Sequence, residues 1–299
     1  MSFRSVIISN SANLTLKNNN LIINNDNEFQ IPIEDISILV IEGISVRLTN
    51  RLLNKLAENN VATIICDEIH LPSSILIPLN SHYRSYKVLK QQLDQSAAFN
   101  KRIWQNIIRQ KLYNQGKCLD ILGLNGGDFL DKLSNTVESG DKGNKEAIGA
   151  KYYFKSLFGE NFTRNTGNGI NAALDYGYAI MRSAVARALV MYGFNTALGV
   201  NHCNELNSFN LADDFMEPLR PIVDLWVYSN INYDCELTKD DRIALVDLIN
   251  SECIIEKQNH SILNAIDKMI ASYTTACSKK DFRLLKLPTI KQLEYHYYE

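Results

Sequence analysis

The stretch ISILVIEGISVRLTNRLLNKLAENNVATIIC, residues 36–66, decides how the chain begins to fold. Ile36–Ile41 is a continuous apolar run of strand length. Ser45 can cap a helix start, Leu48, Leu52 and Leu56 recur at helical spacing, and Asn59-Asn60 can close the helix. Val61–Cys66 then reads as a second apolar strand. A strand, a helix and a strand of these lengths predict one parallel βαβ unit.

Upstream, Arg4–Ile8, Asn13–Lys17, Leu21–Ile23 and Glu28–Ile31 are short β-type runs separated by Asn- and Asp-rich turns, the pattern of an antiparallel meander. Downstream, Pro72 and Pro78 punctuate a last extended stretch, Ser74–Leu79. The pattern changes near Asn80-Ser81. From Arg84 onward the apolar period is close to 3.6, which predicts helices over about 83–114, 117–122, 127–138, 145–158, 170–193, 212–227, 240–253 and 259–277. Gly116, Gly123, Gly126-Gly127, Gly140, Gly143, Gly159, Gly167 and Gly169 fall mostly between them, where breakers belong. The expected fold is therefore α+β: a small β-rich domain over 1–80, then a larger all-helical domain over 81–299.

Length and composition narrow the classes. The 299 residues suit two domains, and 45% hydrophobic with 21% charged residues is ordinary for a soluble globular protein. No apolar run approaches the ~20 residues that cross a bilayer. The opening Met1-Ser2-Phe3-Arg4-Ser5-Val6-Ile7-Ile8-Ser9-Asn10 lacks the core and cleavage site of a signal peptide. Six cysteines (66, 118, 203, 235, 253 and 277) form no CxxC pair and are expected to be reduced packing thiols in the cytoplasm. A net charge of −2 does not by itself announce a polyanionic partner, so any nucleic-acid signal must be local.

Three places carry chemistry. Glu146 shares a helical stripe with Ala150, Tyr153 and Leu157, which puts a carboxylate in line with the inward face. Buried Glu is rare unless paired or metal-bound, although a first-turn Glu also favours the helix dipole. His202 stands in a loop, Leu198-Gly199-Val200-Asn201-His202-Cys203-Asn204, where either a structural or a functional His fits. In Leu211–Asp224, Asp213 or Asp214 can start a helix, and Phe215, Leu219, Ile222 and Trp226 form its apolar stripe. Asp214 and Glu217 share one face, continued by Arg220 and Asp224. A solvated charged face is the plain reading, but Pro218 and Pro221 weaken a helix interior, a cost that surface alone does not explain. One His with several carboxylates suits Mg²⁺ or Mn²⁺ better than structural Zn²⁺. Such an ion can polarise phosphorus in an in-line displacement.

Between Arg84 and Lys117 lie eight basic residues and one acid, Asp94, with Tyr83, Tyr86, Phe99, Trp104 and Tyr113 interleaved. This is a local positive stripe that could follow a phosphate backbone or could be a solvated helix face. The residues allow three functions: a metal-dependent phosphodiesterase, a DNA-binding scaffold without catalysis, or a hydrolase of small phosphoesters. Against the last, Gly123–Gly127 lacks the Lys and spacing of a phosphate-cradling loop.

Several fragments, in order and spacing, resemble the CRISPR-associated integrase of the spacer-acquisition complex, in the short form that accompanies type II systems. They are Phe3-Arg4-Ser5-Val6-Ile7-Ile8, Ile33–Ser37, Asp67-Glu68-Ile69-His70-Leu71-Pro72, Glu146-Ala147 with Tyr153-Phe154, Asn171–Tyr178, Gly199-Val200-Asn201-His202 and Asp214–Pro221. The resemblance implies a β-rich dimerisation domain and a helical domain that holds metal and DNA. Matched position by position, it implies metal ligands at Glu146, His202 and Glu217, with Asp214 an auxiliary acid; some relatives carry Asp at the place of Glu217. The activity implied is metal-dependent insertion of spacer DNA into the CRISPR repeat by 3′-hydroxyl attack, or endonuclease cleavage with water as nucleophile. Arg84, Lys87, Lys101, Arg102 and Arg109 are the expected DNA-binding residues. Implied partners are double-stranded DNA, a second copy of the chain, a small ferredoxin-like companion protein, and the type II ring-shaped DNA-end-binding protein and RNA-guided effector nuclease.

Overall fold

The computed structural model describes residues 4–78, 82–164, 167–233 and 236–295. The expected boundary at Asn80-Ser81, Cys235 and the tail beyond 295 lie outside the described residues. The chain divides into two compact units, one up to Ser85 and one from Tyr86 onward.

The first unit runs β1 (Arg4–Ile8), β2 (Ala12–Lys17), β3 (Asn20–Asn24), β4 (Glu28–Pro32), β5 (Ile36–Ile41), β6 (Val46–Leu48), α1 (Asn50–Glu58), β7 (Ala62–Cys66) and β8 (Pro72–Leu76). Strands β5 and β7 are parallel, with α1 in the crossover, so the expected βαβ unit forms. β1 joins β5 in parallel, and β8 closes the other edge antiparallel to β7. The meander β2-β3-β4 makes a second, antiparallel sheet. Its first turn is Asn18-Asn19, both at positive φ (50° and 60°), which asparagine tolerates better than most residues. All six residues of β5 are buried. Ile36, Leu39 and Ile41 share one core with Val6 and Ile8 of β1, Leu14 of β2, Leu21 of β3 and Leu52 and Leu56 of α1.

The segment 45–59 departs from expectation. Val46–Leu48 is a short strand parallel to β2, and the helix begins after Thr49, whose hydroxyl accepts from Leu52 N at 3.3 Å. Leu48 fits the helical spacing by number, but its strand pairs with Leu14 and packs it on the same core. Ser45 is therefore not the cap.

The second unit holds α2 (Ser85–Leu93), α3 (Ala97–Ile121), α4 (Gly127–Asn135), α5 (Lys145–Phe158), α6 (Gly169–Met191), α7 (Asn210–Met216), α8 (Arg220–Asn230), α9 (Lys239–Asp247), β9 (Ser251–Ile255), β10 (Gln258–Ser261), α10 (Ile262–Lys279) and β11 (Thr289–Tyr295). Helix α3 packs against α4, α5, α8 and β11, while α6 packs against α7, α8, α9 and α10. The expected helix 83–114 is split because Ser96 caps α3 by accepting from Phe99 N at 3.1 Å. The expected helix 117–122 is simply the end of α3. Gly116 does not break it: a Cβ there would meet Gly127 O at 2.9 Å, so this glycine permits close packing of α4.

The larger unit is not all-helical, which corrects that expectation. β10, β9 and β11 form a three-stranded antiparallel sheet. Where 240–253 and 259–277 read as helices, α9 stops at Asp247, β9 and β10 intervene, and α10 starts at Ile262. The β9–β10 turn is Glu256-Lys257, both at positive φ (53° and 65°), a hairpin geometry that these two residues do not announce. Among the described residues no helix is long and apolar enough to cross a membrane.

The cap assignment makes a contrast. Thr49→Ala should lower the stability of this unit by about 1 kcal/mol in denaturant unfolding, and Ser45→Ala by less than about 0.5 kcal/mol.

Candidate active site

Helix α3 carries a buried stripe of Trp104, Ile107, Lys111, Asn114 and Cys118 at helical spacing, with a lysine in the middle of it. Lys111 Nζ stands 2.7 Å from Glu146 Oε1 and 2.5 Å from Glu217 Oε2. Arg220 Nε holds the other Glu217 oxygen, Oε1, at 2.8 Å. Two carboxylates from distant parts of the chain are thus gathered round one ammonium.

Local structure explains each arrival. Asp141 accepts from Lys145 N (2.8 Å) and Glu146 N (3.0 Å) at the start of α5. The first amides of that helix are satisfied from outside, so the Glu146 carboxylate is free to reach Lys111. The expected helix 212–227 exists in three pieces: α7, a 3-10 turn at Glu217–Leu219, and α8. Pro218 and Pro221 each lack an N–H and each sit at the start of a new piece, which is where proline is tolerated. Helix α7 starts at Asn210, so neither Asp213 nor Asp214 begins it. On the face of Asp214, Glu217 and Asp224 the exposures are 0%, 3% and 1%, which rules out a solvated charged face.

Burial alone would raise the Glu217 carboxyl, but the charges of Arg220 and Lys111 overturn that and hold it at about 2. Burial likewise pulls the Lys111 ammonium down, and Glu217 and then Glu146 outweigh it, so its pKa ends above the ordinary value. Glu217 and Lys111 are both charged at neutral pH.

His202 is held separately. Its Nδ1 lies 2.7 Å from Asp214 Oδ1, and Asp214 also accepts from Val200 N (2.6 Å), Asn201 N (3.1 Å) and His202 N (3.2 Å). Gly199 permits this wrap, since a Cβ would stand 2.8 Å from Asp214 Oδ2 and 2.2 Å from His202 O. The imidazole meets Trp104 edge-on at 5.6 Å. Its pKa is raised, first by the Asp214 hydrogen bond, against the opposing effect of burial. With Nδ1 committed to Asp214, Nε2 is the nitrogen left for a ligand. Asp213 is occupied elsewhere, by Arg182 at 2.6 Å and Asn207 at 2.7 Å.

The structure brings Glu146 and Glu217 together and leaves His202 on its own carboxylate. Among the described residues no three His, Cys, Asp or Glu side chains already form a metal-binding group. The donor chemistry nevertheless fits a hard cation at the two glutamates, because they already converge on a positive charge.

The expected DNA contacts scatter more widely. Lys101, Arg102 and Arg109 are exposed on α3, where Arg102 bonds Gln105 at 2.9 Å and Arg109 bonds Val137 O at 3.0 Å. Lys87 is exposed on α2, and Arg84 lies over the Tyr83 ring at 4.9 Å in the first unit. Lys111, counted in the basic stripe by sequence, is buried and belongs to the carboxylates instead. Its signal was a lysine at an apolar position of the α3 stripe.

Asp224, one turn beyond Arg220, is bound by the hydroxyls of Tyr153 (3.0 Å) and Tyr178. Arg220 stacks over the same Tyr178 ring at 4.4 Å. Burial pushes Asp224 up to about 6, against the lowering effect of the two tyrosines and the arginines.

Known structures share this fold. A casposase bound to integration product superposes with a TM-score of 0.76 at 20% identity, covering 94% of this chain and 93% of that one. A chain of a Cas6-RT-Cas1–Cas2 complex gives 0.74 at 18% identity, covering 97% of this chain and 36% of that one. The family model for CRISPR associated protein Cas1 matches residues 5–244. The CRISPR-associated endonuclease Cas1 of Neisseria meningitidis serogroup C (strain 8013) is 43% identical over 304 residues, spanning 100% of both chains. The chain belongs to the Cas1 family.

The Asp224 carboxyl supplies a pH test. Its folded value, about 6, lies above its ordinary 3.8, so its contribution to stability is complete below about pH 4 and is lost as pH rises through 6. Asp224→Asn does not titrate. Between pH 5 and pH 8 its stability relative to the natural protein should therefore improve by about 1–2 kcal/mol, read by urea unfolding at both pH values.

Proposed function

We propose that this chain is a divalent-metal-dependent DNA strand-transferase and endonuclease. In this reading it joins a DNA 3′-hydroxyl to a phosphodiester of a CRISPR repeat, and cleaves when water is the nucleophile. The observation that carries the reading is the convergence of Glu146 and Glu217 on one buried cation, with the Asp214-held His202 as a further donor. Glu146, Glu217 and the Nε2 of His202 would hold Mg²⁺ or Mn²⁺. When bound, the ion supplies charge stabilisation at the phosphorus and its oxygens. Asp214 orients His202 through Nδ1, and Arg220 fixes Glu217 from the side away from Lys111. The family supports the reading, since its Neisseria member is named an endonuclease and the structurally similar casposase is bound to an integration product.

The wider reading follows the same line. The first unit serves in dimerisation, and the second in catalysis and in metal and DNA binding. Double-stranded DNA runs along Arg84, Lys87, Lys101, Arg102 and Arg109. A small ferredoxin-like companion bridges copies, a role supported by the Cas1–Cas2 complex of similar fold. The type II ring-shaped DNA-end-binding protein and RNA-guided effector nuclease are further partners, and the chain works in the cytoplasm.

A scaffold reading has one observation behind it: Lys111 and Arg220 already pair with the carboxylates. Strand transfer decides between the two. With purified companion, short 3′-hydroxyl DNA and a CRISPR-repeat plasmid, Glu217→Gln, which keeps the side chain's shape and an acceptor for Lys111, and His202→Ala should lose joining by roughly 10³-fold or more, and EDTA should abolish it. Near-normal joining in either folded variant removes that residue from the site.

The DNA path has its own readout. Reversing charge at Lys101 and Arg102 together should weaken duplex binding and reduce the slope of log affinity against log salt by about 2. An unchanged slope takes this part of α3 off the path.

A further inference from the structure

Lys111 and Arg220 both pair with Glu217, but in different ways. Arg220 touches Glu217 alone, through Oε1, and its guanidinium is stacked on Tyr178 at 4.4 Å. Lys111 touches both glutamates, through Glu146 Oε1 and Glu217 Oε2. A cation bound through Glu146 Oε1 and Glu217 Oε2 competes with Lys111 for the same two oxygens. Two carboxylates with two cations already balance, so a divalent ion added beside an unmoved Lys111 would leave buried positive charge uncompensated. The two basic side chains also differ in build. A stacked, planar guanidinium is fixed, whereas an ammonium on a four-carbon stem is a compact charge that can withdraw.

We propose that Lys111 is a positioning residue that holds Glu146 and Glu217 together in the metal-free protein and surrenders the pair when the divalent ion binds. The inference rests on the reading of those glutamates as metal ligands. Arg220 keeps Glu217 in place throughout. Lys111 thereby sets the ion affinity: it prevents the buried Glu217 and the partly exposed Glu146 carboxylates from repelling each other apart, and it competes with the ion for them.

The test is Mn²⁺ binding to the full-length protein, followed by the loss of the free-ion electron paramagnetic resonance signal, with no DNA present. Lys111→Met should bind Mn²⁺ at least about tenfold more tightly, the equivalent of one charge-assisted hydrogen-bonded pair no longer competing. Its melting temperature without ion should fall, and Mn²⁺ should raise it by more than in the natural protein. If the methionine variant does not fold, Lys111→Gln, which keeps a donor but no charge, carries the same measurement. Lys111→Arg should restore affinity towards the natural value. Equal or weaker Mn²⁺ binding by the folded uncharged variants overturns the inference. Glu146→Gln and Glu217→Gln separate the two claims. If both retain full Mn²⁺ binding, the ligand reading falls and takes the inference with it. If both lose binding while the Lys111 variants bind as the natural protein does, only the inference about Lys111 falls.

Discussion

A lysine ammonium buried between two glutamates is the constraint on which the larger unit depends. Neither Lys111 nor Glu217 is tolerable alone in that interior, and Glu146 reaches them from a partly exposed position. Removing one partner of a buried pair typically costs about 3–5 kcal/mol, because it strands the other charge. The pairing joins α3, α5 and the turn before α8, three segments separated by tens of residues. The polar layer continues outward from it. Arg220 reaches from Glu217 to the Tyr178 ring, and Tyr178 and Tyr153 both donate to Asp224. A connected set of hydrogen-bonded charges can sit inside a protein where an isolated one cannot.

The broken helix 210–230 is the local device that makes this geometry. A continuous helix would have carried Asp214, Glu217, Arg220 and Asp224 along a single gently winding line. Two prolines instead divide it, so that Asp214 serves the His202 loop while Glu217 turns to Lys111. The cost of proline inside a helix, about 3 kcal/mol when it must stay helical, is avoided because each proline opens a new segment.

Much of this was readable beforehand, for identifiable reasons. The βαβ crossover was legible because Ile36–Ile41 and Val61–Cys66 are apolar runs of strand length flanking a leucine stripe. The Asn18-Asn19 hairpin was legible because asparagine tolerates positive φ. Glu146 stood out through its place on an apolar helical stripe, and Asp214 and Glu217 through sharing one face of a segment that Pro218 and Pro221 interrupt. The sheet of β9, β10 and β11 was hidden. Its turn uses Glu256 and Lys257, and only the alternation of buried Ser251, Cys253 and Ile255 with outward Glu252 and Ile254 betrays β9. Five residues of alternation are too few to overrule a helical period on both sides. Lys111 was hidden for another reason. Charge counting placed it with its basic neighbours, whereas its position in the α3 stripe placed it with the core.

Asn114 has a consequence for how the protein is made. Its side-chain amide donates to Pro218 O (2.7 Å) and Pro288 O (3.0 Å), and its oxygen accepts from Gln110 Nε2 (2.9 Å) and from Ile290 N in β11 (3.4 Å). One residue of α3 therefore links the turn that bears Glu217 to the last described strand. On a ribosome that strand emerges after every other described element. Helices α3, α5 and α8 can meet while the chain is still being translated, but the scaffold behind Glu217 is not fully tied until residue 290 is out. The nascent chain thus completes the support behind Glu217 only once residue 290 has emerged, long after the first unit has had all it needs to fold.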